Sequence, residues 1–102
     1  MGMGGSIVSK NILEEKGHLK WCIREESINK VDNGWRFLSD IDTEEFLSNP
    51  DNMVICDWGT VFEIEPAIMA IFDLPVGTDI TLIEDNGKKY FVYTDSGEKV
   101  EY

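Results

Sequence analysis

The tightest constraint in this 102-residue chain is a dipeptide, Asn86-Gly87. Asn-Gly is the pair best suited to a two-residue hairpin loop, because both central positions of that turn need a positive φ. Folding about it sets Asp85 against Lys88 and Glu84 against Lys89, then Ile83 against Tyr90 and Leu82 against Phe91. Opposite charges meet beside the turn and apolar pairs follow, so turn chemistry and cross-strand pairing specify one register. The end of the chain is committed to antiparallel sheet.

Further elements follow from pattern. Ile7-Val8 reads as a short strand, and Ser9 can cap a helix over Lys10–Lys16 that stops at Gly17. Leu19–Arg24 mixes aromatic, β-branched and polar residues in near alternation, which predicts a strand. Glu25–Asn33 is polar and irregular. After the turn signal Asp32-Asn33-Gly34, a strand resumes at Trp35-Arg36-Phe37-Leu38. Asp42 with Glu45 three positions on has the form of a capping box for a helix over Thr43–Ser48, ended by Asn49-Pro50. Met53–Trp58 is a continuous apolar run with a polar exit, which predicts the central strand. Thr60–Ile64 suits a helical turn. Pro66 suits the first position of another through Phe72, with Glu65 before it, and a strand over the same stretch is the alternative. Asp95-Ser96-Gly97 turns the chain into a final short strand ending at Tyr102. The expected fold class is α+β: one domain over residues 1–102, a mostly antiparallel sheet of five or six strands with two or three short helices, and a glycine-rich start, 1–5, that is loose.

Composition narrows the function classes. Hydrophobic residues make up 42%, enough for a core. No run reaches the roughly 18 apolar residues of a membrane span, and no basic-then-apolar leader opens the chain, so a cytoplasmic protein without membrane contact is expected. Nine Lys and Arg stand against 20 Asp and Glu, a net charge of −11, which disfavours nucleic-acid binding. The surplus is localised. Between Phe37 and Gly87 stand twelve Asp and Glu and no Lys or Arg. Such a block either keeps a protein soluble or steers a basic partner.

Reaction chemistry is sparse. His18 is the single histidine, which removes multi-histidine metal sites. Cys22 and Cys56 lie in apolar, strand-like runs and read as packed thiols rather than nucleophiles. Asp40, Asp42, Glu44 and Glu45 form the densest carboxylate group, yet they lack the glycine and length of an EF-hand loop, and capping explains most of them. No phosphate-binding loop, dinucleotide fingerprint or nucleophile elbow occurs. No cofactor is expected. Trp21, Trp35 and Trp58 sit near strands, where core packing is the default and a partner anchor the alternative.

The string Asp32-Asn33-Gly34-Trp35-Arg36-Phe37-Leu38-Ser39 adds a further signal. With Ile7-Val8-Ser9, Trp21-x-x-Arg24-Glu25-Glu26 and Leu74-Pro75-Val76-Gly77, it resembles the bacterial immunity protein family thirty-three, from about Gly5 to about Thr94. The resemblance implies binding of a cognate polymorphic toxin in the bacterial cytoplasm. Many relatives follow the motif with Ser-Gly, whereas here Ser39 precedes Asp40. The residues also have a bottom-up reading. Gly34 permits an unusual backbone angle, Asp32 can bond turn amides, and Arg36 faces away from Trp35, where Glu25 or Glu26 can pair with it. Arg24, Glu25, Asp32, Gly34, Trp35 and Arg36 form the motif set.

The leading expectation is a non-catalytic toxin binder whose contacts are Asp40, Asp42, Glu44, Glu45, Asp51 and Asp57, facing lysines and arginines of a basic toxin. Two alternatives stay open. One is a small homo-oligomeric binding or regulatory module of unknown ligand, a homodimer for example, with a self-complementary edge along the last strand near Tyr93 and Val100. The other is a metal-dependent hydrolase using the Asp40–Glu45 group.

Overall fold

The hairpin forms in the register its sequence dictates. In the computed structural model, which describes residues 2–101, β5 (Asp79–Asp85) pairs with β6 (Lys88–Tyr93) through Asp85 with Lys88, Glu84 with Lys89, Ile83 with Tyr90 and Leu82 with Phe91. Asn86 and Gly87 take φ of 52° and 79°, the left-handed pair that such a turn needs.

Four more strands extend this ribbon: β1 (Gly5–Ser9), β2 (Leu19–Arg24), β3 (Asp32–Ser39) and β4 (Met53–Asp57). Their order across the sheet is β4-β1-β3-β2-β5-β6. Only β1 and β3 run parallel; the other neighbours are antiparallel. Helices α1 (Lys10–Leu13), α2 (Glu44–Ser48) and α3 (Trp58–Ile64) are short, and 3-10 turns cover Pro50–Asn52 and Pro66–Ala70. The α+β expectation of a mostly antiparallel sheet with a few short helices holds.

Strand alternation decides which face is covered. Val8, Cys22, Trp35, Phe37, Ile80, Leu82 and Phe91 point to one side and are buried against Ile12 of α1, Trp58 and Val61 of α3, and Ile68 and Ile71. An aromatic cluster lies at its centre. Trp35 and Phe37 stack with centroids 6.1 Å apart, and Phe72 meets Trp58 edge-on at 4.8 Å. Residues between them, among them Ile7, Trp21, Ile23, Leu38 and Ile83, face the other side and remain half-exposed.

Several local expectations are corrected. Met53–Asp57 lies at the edge of the sheet, not at its centre. Its apolar run packs Cys56 against the core, opposite Ser6 of β1, while Ile55 stays exposed. Trp58 leaves the strand to begin α3. Helix α1 stops at Leu13 rather than Lys16, because Glu15 adopts φ 58° and the amides of Lys16 and Gly17 both bond to the Asn11 carbonyl. Asp32-Asn33-Gly34 is no free turn but the opening of β3, with Gly34 at φ 87°. The stretch after Pro66 is 3-10, capped by Glu65. The last strand is reduced to a bridge between Val92 and Lys99, and Tyr102 lies outside the described residues. Near the start, the Gly4 carbonyl accepts from Trp58 N at 3.0 Å and the Met3 carbonyl from Asn33 Nδ2 at 3.2 Å.

Candidate functional site

The motif residues gather where β2, β3 and the segment between them meet. Arg36 projects from β3 away from the aromatic cluster, as its alternation with Trp35 predicts. Its Nη1 and Nη2 donate to the two carboxylate oxygens of Asp32 at 2.8 and 2.9 Å, and its Nε donates to Glu25 at 3.1 Å. Asp32 also accepts from the amides of Ile28 at 2.8 Å and Gly34 at 2.9 Å. The Arg36 hydrogen bonds outweigh the cost of partial burial, and with the two amide donors they hold the Asp32 carboxyl well below the usual carboxylate range. The same contacts raise Arg36. Sequence reasoning proposed Glu25 or Glu26 as the partner; Glu25 is used, and Asp32 is the closer one.

Arg24 works on the opposite face. Its Nε donates to the Asn33 carbonyl at 3.0 Å, and its Nη1 to the carbonyls of Phe72 and Leu74 at 2.9 and 2.7 Å. The guanidinium lies 5.7 Å from the ring centroids of both Trp35 and Phe72. Trp35 Nε1 donates to the same Phe72 carbonyl. Arg24 thus fastens the loop after the second 3-10 turn to the sheet through three carbonyls rather than a carboxylate. Gly34 completes the motif: its carbonyl accepts from Glu25 N at 2.8 Å, and a side chain at Gly34 would collide with the Glu25 carbonyl.

The six carboxylates expected to meet a partner divide by geometry. Asp42 turns inward and accepts from Ser9 Oγ, Asn11 Nδ2, Ser39 N and Ser39 Oγ at 2.6 to 2.9 Å. Partial burial pushes its pKa up, but those four donors outweigh it and lower the pKa overall. Asp42 therefore ties β3 to the end of β1, and Thr43, not Asp42, caps α2 through its Oγ1 and Phe46 N. Asp40, Glu44, Glu45, Asp51 and Asp57 are exposed. Asp40 accepts from the His18 amide at 2.8 Å and lies 3.5 Å from His18 Nδ1. Glu44 and Glu45 open α2, Asp51 sits in the 3-10 turn that follows, and Asn52 Nδ2 bonds back to the Phe46 carbonyl. Asp57 ends β4 about 13 Å of strand further on, and its carboxylate accepts from Gly59 N at the start of α3.

The acid that the sequence places just before Pro66 caps the 3-10 turn and has a second task. Glu65, nearly buried, accepts from Lys89 Nζ of β6 at 2.7 Å, and that hydrogen bond raises Lys89. The pair borders a cleft of about 310 Å³ that also includes His18, Lys20, Asp40 and Glu84. Burial raises both thiols; Glu65 and Asp79 add to this at Cys22 and Asp57 at Cys56, while a hydrogen bond with Thr60 works against it at Cys56. Among the described residues, no three His, Cys, Asp or Glu side chains converge as metal ligands.

A feature that sequence reasoning missed is a group of exposed aliphatic side chains beside β4. Ile55, Ile28 and Val31 are 72%, 68% and 67% exposed, and they border one small depression with Ile7. The signal was present in the Met53–Cys56 run, but reading it as a central strand placed Ile55 inside.

Among the described residues, no helix is long and apolar enough to cross a membrane. No curated protein and no solved structure gives a significant match to the chain. The family model described as the Immunity protein Imm33 domain matches residues 6–93, a span that begins in β1, ends with β6 and contains the whole Arg24–Arg36 constellation. By that match this chain belongs to the Imm33 family of immunity protein domains.

Proposed function

We propose that this protein neutralises a cognate toxin in the cytoplasm by binding it, without catalysing a reaction, and that the toxin surface it meets is basic. The observation that carries the reading is the cation-free stretch from Phe37 to Gly87, in which Asp40, Glu44, Glu45, Asp51 and Asp57 are exposed. Such carboxylates attract lysines and arginines during encounter, and this raises the association rate more than the final affinity. Asp42 serves the same surface from beneath by fixing the turn that presents Asp40 and Glu44. The Arg24, Asp32 and Arg36 contacts support a scaffold role for the motif, since their polar atoms are engaged within the chain.

The test uses the product of the reading frame beside this gene as the candidate toxin. Association is measured by stopped flow across a salt series for the natural chain and for the double charge reversal Glu44→Lys with Glu45→Lys. The expected result is a steep fall in rate with salt and about tenfold slower association for the reversal at low salt. A rate indifferent to both would remove the acidic surface from the reading.

A further inference from the structure

We infer that the outer edge of β4 is a docking site for an extended, basic strand of the partner protein, which adds to the sheet beside Ile55. The inference takes the partner's identity from the toxin-binding reading above, but the site itself is argued from backbone geometry.

β4 stands at the end of the strand order with β1 as its one strand neighbour. Trp58 N donates to the Gly4 carbonyl, so the pairs 4/58, 6/56 and 8/54 exchange the ladder bonds. Ile55, opposite Ile7, therefore points its N–H and C=O away from the sheet, and the Asp57 N–H does the same. Proteins usually blunt such an edge with lysine, proline or a covering segment. β4 contains neither residue. The opposite edge shows the contrast: the segment after β6 folds back on it, with Tyr93 N bonded to the Glu98 carbonyl and Val100 N to that of Phe91.

Two observations specify the occupant. Ile55 is 72% exposed on the open face of β4, where an alternate apolar side chain of an added strand lies beside it. Asp51 and Asp57 stand at the two ends of β4, and Lys30 lies in the wider hollow shared with Asp57. An incoming strand with lysines or arginines at its flanks is complementary. A second copy of this chain is not, because an antiparallel β4 pair centred on Ile55 brings two Asp51 and two Asp57 carboxylates to one seam.

The probe is the heptapeptide Lys-Val-Lys-Val-Lys-Val-Lys, with its glutamate counterpart as control, titrated into the nitrogen-15-labelled full chain. The lysine peptide is expected to shift the Met53–Asp57 amides and, at about ten times its Kd, to slow exchange of the Ile55 and Asp57 amides about tenfold. The glutamate peptide is expected to do neither. Ile55→Pro removes the outward N–H without touching the ladder and is expected to abolish the effect, with the β5–β6 resonances unchanged. Ile55→Thr keeps the amide and is expected to retain weaker binding, which separates loss of docking from loss of fold. Shifts centred on another element, no shift at millimolar peptide, or an Ile55 amide already protected by self-association would each overturn the site. In cells, protection against the cognate toxin that survives Ile55→Pro would overturn the docking site and leave toxin binding standing. Peptide docking at β4 without any protection would support the edge site and refute the toxin reading.

Discussion

Arg36 grips Asp32 with two parallel hydrogen bonds, 2.8 and 2.9 Å long, across one helical-length step of four residues that here lies in a strand. Both side chains are less than a tenth exposed. A strand does not place residues four apart close enough for this; the irregular backbone at Gly34 does, since it shortens the path between them. A forked pair of this kind is stronger than a lysine contact because the planar guanidinium matches both oxygens.

Removing either partner strands the other in a poorly hydrated site. Asp32→Ala and Arg36→Ala are each expected to lower unfolding free energy by about 3 kcal/mol in urea titrations. The double variant should lose less than the sum, because the second change removes an already unpaired charge. Arg36→Lys should recover little, having one point of contact where the fork has two.

Acid sensitivity follows from the same carboxylate with a definite sign. The folded pKa of Asp32 is depressed, so its stabilising contribution is complete above the unfolded value of about 3.9 and declines as pH falls below it toward the folded value. Asp42 is shifted in the same direction and adds to the effect. Urea midpoints measured downward from pH 6 should fall most steeply below about pH 4. Asp32→Asn should flatten that slope; an unchanged slope would mean that other carboxylates govern it.

Lys89 gives the opposite pH dependence. Its pKa is raised by Glu65, so its contribution is complete below the unfolded value of about 10.4 and is lost as pH climbs through the folded value. Lys89→Met should cost stability at neutral pH, by leaving Glu65 with Ala67 N as its remaining hydrogen-bond donor, and should remove this alkaline dependence.

Gly34 and Gly87 both have positive φ, but they differ in surroundings. Alanine at Gly87 meets open space and should cost about 1–2 kcal/mol from backbone conformation alone. Alanine at Gly34 adds a collision with the Glu25 carbonyl and should cost clearly more, with β2–β3 pairing disturbed. Thermal melts followed by emission from the buried Trp35 and Trp58 would rank the two.

Thiol labelling tests the packing of the two cysteines. Cys22 is fully buried in the core, and burial raises its pKa, so a neutral-pH thiol reagent should reach it only through unfolding. Cys56, half-buried on the edge strand, should react first.

Local chemistry alone determined a good part of this protein. The β5–β6 register was legible because Asn86-Gly87, two charge pairs and two apolar pairs all act between near neighbours, and Ser9 could be read as a cap for the same reason. The pairing of Arg36 with Glu25 was half legible, because strand alternation sent Arg36 to the face opposite Trp35. Tertiary structure decided the rest. Asp42 reads as a helix cap until Ser9 and Asn11, more than thirty residues away, surround it with donors. Met53–Asp57 reads as a central strand until the order β4-β1-β3 leaves one side without a neighbour. A sequence records how apolar a segment is, but which of its faces is covered, and whether a strand has one neighbour or two, depends on segments far along the chain. The carboxylates illustrate the difference: their number and sign are fixed by the sequence, and only folding separates those that brace the sheet from those left facing water.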